Sequence, residues 1–490
     1  MHSVTKRPET YLTAAIIAFF ALKIALLISY HDIRWDEAVY LNMAKSLIGQ
    51  GGYWEILRPP LWPLMLAGFM IVGDAVLLGE IFVNLIAATA AVILYLSLKE
   101  DINKWAAMSA SMLLLFTDIW FYNSSQLLTG VLSASAIIFA FYAYQKEKYL
   151  LAGIISSLAF LTRFPAGIGF AALLSAQATI LWNTRKNLTL QTIIPSAKIV
   201  LGFMIPTGVW MITNFINYYQ RGFFIAWIYP LLQGSGNVFL QNTWLHNTQM
   251  LFYFSMILTT IPVALLAIFG LRELLNNKTH LAYAYLAGFT LLFFTITPNN
   301  QWRFALLIIP GLYVLMAKGA HVLYQQKRWL GIIAIALILV NTGWLAIGAH
   351  DMLSHRGDNP PSIETEYYMF AQTHDLNGTI FVSDPIAAWY APNKAVPIYY
   401  EFLQDVDELI TQQPAAVFYV PRSVPCQTTD YTCINQTQVF TDFLVANYDL
   451  VHVSELHGFK YFVFTNQTTL PALHTDIVYA ENEHVRTTFS

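Results

Sequence analysis

Long apolar stretches separated by short polar connections fill the chain up to about residue 350. A helix that crosses a bilayer needs about 20 mostly apolar residues, and about eleven stretches come close enough to that length. They lie near residues 11–29, 79–98, 105–121, 126–144, 149–163, 165–182, 198–216, 250–270, 281–297, 304–323 and 329–348. The pattern therefore predicts a polytopic α-helical membrane protein.

The pattern changes after about residue 350, where short β-rich runs alternate with helix-like segments. Such alternation is typical of a small α/β domain. The predicted strands are 379–384, 397–400, 416–420, 449–453 and 460–464, and the predicted helices lie near 362–374, 401–412 and 437–447. We therefore predict a membrane domain over 1–349, with an outer loop at 30–78, followed by an α/β domain over 350–490.

Composition supports the membrane assignment. Hydrophobic residues make up 56% of the chain and charged residues 11%, whereas soluble domains carry about 25% charged residues. The net charge is only −3 and there is no long basic run, so the sequence argues against a nucleic-acid partner. Membrane lipids are the expected surroundings.

The distribution of cations predicts the orientation. Lys6 and Arg7 precede the first apolar stretch and no small-residue cleavage site follows it, so we interpret it as a retained helix. With a cytoplasmic N-terminus, most cations of the connecting loops fall on the cytoplasmic side, as the positive-inside rule expects. An odd number of spans then places the loop at 30–78 and the α/β domain outside the cytoplasm.

The outer loop carries an unusual density of charge for this chain. Its adjacent carboxylates are Asp36 and Glu37, and its cations are Arg34, Lys45 and Arg58. Ionisable groups beside a bilayer are costly to desolvate, so they tend to mark substrate or ion sites. The alternative is an ordinary hydrated loop.

Asp36 allows two compatible interpretations. It precedes a stretch with helical apolar spacing, AVYLNMAKSLIG, so it could be the N-cap of an interfacial helix with Glu37 in the first turn. It could also be a general base, because a positioned carboxylate can take a proton from a hydroxyl within hydrogen-bond reach.

Three arginines lie at the outer ends of predicted spans, against the positive-inside trend: Arg58, Arg163 and Arg303. Each could snorkel to the lipid headgroups at its helix end. They could also share an anionic ligand, because a guanidinium binds phosphate with a planar set of donors. The nearby carboxylate pair favours a shared site.

The order of these motifs resembles that of the GT-C glycosyltransferases. The matching segments are RWDEAVYLNMAKSL, LRPPLWPLMLAG, LAFLTRFPAG and QWRFALLIIPGLYVL. They are most similar to the family 39-like group, which contains protein O-mannosyltransferases and lipid A aminoarabinose transferases. The resemblance covers residues 1 to about 350.

The resemblance implies transfer of a sugar, with inversion, from a polyprenyl-phosphate donor to an acceptor hydroxyl outside the cytoplasm. The acceptor is a protein, a lipid or a glycan. By motif position Asp36 would be the base and Glu37 would support it. The substrate-binding candidates would be Arg58, Arg163, Arg303 and, more weakly, Tyr40.

Some relatives carry an acidic residue directly before the basic-Pro-Pro motif, and in some it helps to hold a metal. Here Leu57 stands at that position and Glu55 lies two residues earlier. We therefore assign no metal ligand and no cofactor, and dependence on a divalent metal stays open.

Two other functions fit a protein with many spans. A secondary transporter would carry ionisable or helix-breaking features near the bilayer midplane, often in paired repeats, whereas the charges here lie at the outer boundary. A polymerase or ligase of lipid-linked glycans is the second alternative. We expect the α/β domain to recognise the acceptor or to cap the site, and the loop at 217–249 either to cover the donor or simply to connect two spans.

Overall fold

The computed structural model describes most of the chain. The described residues are 8–27, 33–55, 58–183, 185, 189–218, 261–271, 278–296, 302–354, 362–374, 376, 378–392, 394–398, 411–421, 431–456 and 459–466. The predicted helix at 401–412 and the loop at 217–249 lie almost wholly outside them.

The helices are numbered in chain order through the described residues. They are α1 (Pro8–Leu27), α2 (Trp35–Leu47), α3 (Leu61–Val72), α4 (Ala75–Leu98), α5 (Lys104–Phe116), α6 (Asp118–Asn123), α7 (Thr129–Gln145), α8 (Tyr149–Thr162), α9 (Gly167–Asn183), α10 (Leu190–Tyr218), α11 (Ile261–Leu271), α12 (Lys278–Ile296), α13 (Ile309–Gln326), α14 (Arg328–Ser354), α15 (Ser362–Thr373), α16 (Pro385–Tyr390) and α17 (Tyr431–Asn447). The 3₁₀ segments that the structure describes in full include Phe164–Ala166 and Trp302–Leu307.

The described residues form two compact units that are interleaved along the chain. The first unit takes its residues from 1–30, 56–62 and 76–357, and the second from 31–55, 63–75 and 358–490. Much of the predicted outer loop therefore folds with the C-terminal part of the chain.

The first unit is helical. Each predicted apolar stretch contains a described helix, and four helices of the described residues are long and apolar enough to cross a membrane: Ala75–Leu98, Phe164–Asn183, Leu190–Ile216 and Arg328–Ile347. On α10 the large apolar side chains of Ile205, Val209 and Ile212 are 50–63% exposed, as suits contact with hydrocarbon. The prediction of an integral membrane protein is confirmed, whereas the count of about eleven spans stays a prediction.

The predicted span at 105–121 is interrupted at Thr117. This residue has an extended backbone (φ −61°, ψ 129°) that separates α5 from α6. Its hydroxyl contacts the carbonyl oxygen of Leu113 and the hydroxyl of Tyr313, each at 2.5 Å. The short helix α6 and the turn after it therefore follow a fixed bend rather than a continuous span.

Two glycines let α8 and α10 approach backbone to backbone. A Cβ on Gly153 would lie 2.1 Å from the carbonyl oxygen of Ile199, and a Cβ on Gly202 would lie 2.2 Å from that of Leu150. Neighbouring helices in membranes often pack through such small residues, because van der Waals contact must replace the hydrophobic effect.

The described residues of the second unit form a five-stranded mixed sheet. Its strands are β1 (Ile380–Val382), β2 (Ala395–Pro397), β3 (Ala416–Tyr419), β4 (Asp449–Leu456) and β5 (Phe459–Thr465). Their order is β2-β1-β3-β5-β4, with β1 parallel to both β2 and β3, and β5 antiparallel to both β3 and β4. All five predicted strand regions are present, although β2 begins two residues before its predicted start.

Alternate residues of each strand face opposite sides of this sheet, as the period of a strand requires. Ile380, Val382 and Phe418 pack in one cluster with side chains of α15 and α16. Phe381 and Val417 pack in another cluster with side chains of α17. Helices therefore cover both faces, in agreement with the predicted α/β architecture.

The early part of the chain contributes to the first of these clusters. Tyr53, which is 6% exposed, belongs to the cluster, and Trp35 packs against it. The sequence did not predict this association, because the two segments are more than 300 residues apart.

Candidate active site

The start of α2 fixes the roles of the two adjacent carboxylates. Arg34 is the N-cap, with an extended backbone (φ −92°, ψ 166°), and its backbone N–H donates to Oε2 of Glu37 at 2.8 Å. Glu37 is completely buried. The interpretation of Asp36 as the N-cap is therefore wrong, because the helix begins two residues earlier than an Asp36 cap requires and Glu37 closes its first turn.

Asp36 lies inside the first turn of α2 and is partly exposed. A carboxylate is favoured there by the partial positive charge of the helix N-terminus. Tyr40 follows four residues later, so it lies on the same face of the helix, and it is 4% exposed. Of the two carboxylates, Asp36 is thus the one that an incoming hydroxyl could reach.

Another face of α2 is held by α16. The Nδ2 of Asn42 donates to the carbonyl oxygen of Pro385 at 2.7 Å. The Nζ of Lys45 donates to the carbonyl oxygens of Trp389 and Ala391 at 3.0 and 2.8 Å. Burial lowers the pKa of Lys45 to about 8. The helix that carries Asp36 therefore belongs to the α/β unit.

The three candidate arginines all belong to the first unit, and their chain segments meet at the start of α7. Arg163 joins α8 to the first 3₁₀ segment, and its Nη1 lies 3.3 Å from the position that a Cβ on Gly130 would occupy. Leu306, in the same 3₁₀ segment as Arg303, reaches within 2.6 Å of that position.

The segment of Arg58 reaches the same place. Four residues after Arg58, the indole Nε1 of Trp62 donates to the carbonyl oxygen of Leu127 at 2.7 Å. Leu127 lies in the turn that leads into α7. Three arginine-bearing segments that are distant in sequence therefore converge on residues 127–130.

A buried lysine holds the same turn. The Nζ of Lys23, which is 1% exposed, donates to the hydroxyl of Ser125 at 2.6 Å and to the carbonyl oxygen of Phe121. Its ammonium group lies 3.8 Å from the centre of the Phe121 ring. The turn before α7 is therefore pinned by side chains from α1 and α3.

This convergence has a clear electrostatic consequence. The N-terminus of a helix carries partial positive charge, and the guanidinium of Arg163 adds a full charge beside the start of α7. The start of α7 is consequently suited to an anionic group such as a phosphate. The partly exposed carboxylate of the second unit is suited to accepting a proton.

Solved structures with a similar fold align with nearly the whole chain. ArnT from Cupriavidus metallidurans, bound to undecaprenyl phosphate, matches with a TM-score of 0.68 and 12% sequence identity, over 95% of this chain and 99% of that chain. ArnT is a membrane glycosyltransferase of the GT-C superfamily. The chain has the GT-C fold.

The GT-C fold is also shared with the archaeal oligosaccharyltransferase AglB from Archaeoglobus fulgidus. Its complex with an inhibitory peptide and a dolichol-phosphate has a TM-score of 0.52 at 13% identity, over 95% of this chain and 75% of that chain. Its complex with Zn and sulfate has a TM-score of 0.51 at 12% identity, over 93% and 74%. No family model matches the sequence, and no curated protein matches it either.

Potential metal ligands are not clustered in the described part of the chain. Within the part of the chain that the structure describes, His, Cys, Asp and Glu side chains form no group of three or more that could hold a metal ion. Glu37 accepts the backbone N–H of Arg34, and Glu55 is buried in the second unit. Dependence on a divalent metal therefore stays a prediction without a ligand set among the described residues.

Sequence reasoning missed three residues of this arrangement and left a fourth, Lys45, without a role. Lys23 interrupts the apolar face of the first helix, and this break was the available signal for a buried polar contact. Trp62 and Asn42 gave no such signal, and Lys45 was noted only as a cation of the outer loop, because the partners of all three lie 65 to 346 residues away.

Proposed function

We propose that this protein is an inverting glycosyltransferase that moves a sugar from a polyprenyl-phosphate donor to an acceptor hydroxyl on the extracytoplasmic face of a membrane. The N-terminus is cytoplasmic in this proposal, and the acceptor is a protein, a lipid or a glycan. Residues 1–349 form the membrane domain in this proposal, except for the segments 31–55 and 63–75, which fold with the C-terminal part of the chain. Residues 350–490 recognise the acceptor or cap the site.

The observation that carries this proposal is the convergence of the three arginine-bearing segments on the start of α7. The donor loses its sugar as a lipid phosphate, and negative charge grows on the phosphate oxygens as that bond breaks. Fixed cations aimed at developing charge stabilise such a transition state most effectively. We assign this role to Arg58, Arg163 and Arg303.

The second part of the reaction is proton removal. The acceptor oxygen attacks the anomeric carbon from the side opposite the phosphate, so a carbon–oxygen bond forms as the sugar–phosphate bond breaks. Asp36 takes the hydroxyl proton, and the polyprenyl phosphate leaves with the bonding electron pair. Glu37 acts through the start of α2, and Tyr40 is the candidate that lines the acceptor side.

Similar folds make a lipid phosphate a reasonable ligand to test. ArnT has been solved with undecaprenyl phosphate, and AglB with dolichol-phosphate. Purified full-length protein is incubated with radiolabelled undecaprenyl- and dolichyl-phosphate sugars and with peptide, lipid A and glycan acceptors. Transfer of label to one acceptor class supports the proposal.

Variants separate the two roles. Asp36→Asn should lower turnover by about 10²–10⁴-fold, the usual contribution of a general base, with donor binding retained. Arg163→Ala should both raise the donor KM and lower kcat, because the guanidinium would bind the phosphate of the donor and also stabilise the charge that grows on it. Asp442→Asn and Arg328→Ala are matched controls, because Asp442 and Arg328 are exposed residues of α17 and α14.

The alternatives give different results. Ion- or substrate-coupled uptake into proteoliposomes without glycosyl transfer would establish a transporter instead. Transfer of a whole lipid-linked glycan in a single step would establish a polymerase or ligase. Normal transfer by Asp36→Asn would refute the assignment of the base.

A further inference from the structure

Lys45 is a buried cation placed at the end of a helix. Its side chain reaches from the third turn of α2 to the last carbonyl groups of α16, at 2.8 Å from the oxygen of Ala391, 3.0 Å from that of Trp389 and 3.5 Å from that of Ala388. The final carbonyls of a helix have no partner within the helix and carry partial negative charge. Lys45 therefore caps α16 from another element.

Asn42 donates a hydrogen bond to the other end of α16. It lies one turn before Lys45 on α2, is completely buried, and donates through Nδ2 to the carbonyl oxygens of Pro385 at 2.7 Å and Ala38 at 2.8 Å. Two residues on one face of α2 thus bind the first and last turns of α16, which fixes both the distance and the rotation between the two helices.

The helix α16 is itself anchored. Asp384 caps its start by accepting from the backbone N–H of Ile386 at 2.8 Å, and it also accepts from the hydroxyl of Tyr368 at 3.0 Å. At its end, Gln372 donates to the carbonyl oxygen of Tyr390 at 2.7 Å. Since Tyr368 and Gln372 belong to α15, α16 presents a fixed surface to α2.

The chain after α2 packs tightly behind the same residues. Gly52 has a positive φ of 69°, and a Cβ there would lie 2.3 Å from the carbonyl oxygen of Asn42 and 3.0 Å from the Cβ of Lys45. This close approach leaves little freedom for α2 to turn about its axis.

We propose that Lys45, together with Asn42, is a positioning residue that sets the placement of Asp36 by locking α2 onto α16. This inference rests on the proposed function of Asp36 as the base. Asp36 and Lys45 are nine residues apart on one helix, about 14 Å along its axis. A small tilt at the Lys45 end therefore displaces the carboxylate at the other end.

The choice of residue supports a positional role. A buried cation pays a desolvation penalty that a methionine of similar length would avoid, and buried charges are weak contributors to net stability. A methionine could fill the space, but it could not bond the carbonyl groups. Lys45 therefore provides orientation that apolar packing alone would not specify.

The experiment compares Lys45→Met with wild type in the purified full-length protein. Transfer from a labelled polyprenyl-phosphate sugar gives kcat and donor KM, and hydrogen exchange reports the amides of α2 and of β3. We expect kcat to fall about 10- to 100-fold, as expected for a displacement of about 1 Å, with donor KM within about twofold. Amides of α2 should exchange faster while those of β3 stay protected.

Two further variants keep the test decisive. Asn42→Ala removes the hydrogen bond to the start of α16 and should lower kcat as Lys45→Met does. Lys45→Arg retains N–H donors and should therefore recover part of the rate that Lys45→Met loses. Lys394→Met is the matched control, because Lys394 is an exposed lysine of the same unit, and it should leave kcat and exchange unchanged.

Unchanged exchange in α2 for both Lys45→Met and Asn42→Ala would overturn the inference, whatever the transfer rate. A normal kcat in Lys45→Met with faster exchange in α2 would also overturn it, since placement would then not limit the reaction. If wild-type protein transferred no sugar at all, the proposed function would fail, whereas the exchange comparison would still decide whether Lys45 locks α2.

Discussion

Replacements of the adjacent carboxylates Asp36 and Glu37 should have different effects. Replacing Glu37 should lower the stability of the fold, whereas replacing Asp36 should lower turnover. Glu37 is buried and its Oε2 accepts the backbone N–H of the N-cap residue Arg34 at 2.8 Å. Glu37→Ala removes this hydrogen bond, which caps the N-terminus of α2. The loss of a helix cap costs about 0.5–2 kcal/mol, and the value here should lie in the upper half of that range because the carboxylate is buried.

This free energy converts into a measurable thermal shift. For a unit of about 150–250 residues, 1 kcal/mol lowers the unfolding midpoint by about 2–4 °C, so Glu37→Ala should lower the midpoint by about 2–8 °C. Glu37→Gln keeps an oxygen acceptor and should lower it by less than half as much. Glu366→Ala, an exposed glutamate of α15, serves as the control.

The assay pairs thermal unfolding of the full-length protein with transfer measured well below the midpoint. Glu37→Gln should retain kcat within about threefold, whereas Asp36→Asn should keep the midpoint and lose turnover by about 10²–10⁴-fold. Loss of turnover in Glu37→Gln at an unchanged midpoint would refute the reasoning, because Glu37 would then act on the reacting groups directly.

Two further predictions concern packing and pH. Gly202→Val should destabilise the protein by about 1–3 kcal/mol, because its Cβ would lie 2.2 Å from the backbone oxygen of Leu150. Gly208→Val on the same helix is the control, because no atom lies within 4 Å of the added Cβ. If both variants lost the same yield of folded protein, the close packing at Gly202 would be contradicted. Burial lowers the pKa of Lys45 from 10.5 to about 8, so between these pH values the unfolded chain binds the proton that the folded chain has released. Wild type should therefore gain stability relative to Lys45→Met as pH rises from 8 to 10.5. If the unfolding midpoints of the two proteins changed with pH in parallel, a lowered pKa of Lys45 in the folded state would be excluded.

Local signals in the sequence account for most of the secondary structure. Each apolar stretch contains a helix because length and composition alone decide that a segment prefers lipid. The strands follow alternation, as at Phe381, whose neighbours face the opposite side of the sheet. The short helix α16 was missed although Asp384 and Pro385 form a standard helix start, since its six residues are too few to show a period.

The candidate site was less accessible to such reasoning. An aspartate at the head of an apolar-periodic stretch predicts an N-cap at Asp36, but the carboxylate of Glu37 satisfies the backbone N–H of Arg34, and the helix therefore begins earlier. The three arginines were identified from the side of the membrane that the sequence predicts for them, whereas the meeting of their chain segments at the start of α7 depends on Gly130 and on tertiary packing. Contacts between residues so far apart in the chain cannot be predicted from local sequence patterns.

The shared core of Tyr53 and the C-terminal sheet has a consequence for biosynthesis. Tyr53 leaves the ribosome more than 300 residues before Tyr367 and the other members of its cluster. At about 5–20 residues per second, the segment that carries Asp36 must wait about 15–60 s for the partners that complete its fold. Until translation has nearly finished, a nascent chain can thus insert its helices into the membrane while its α2 still lacks the surface that holds it.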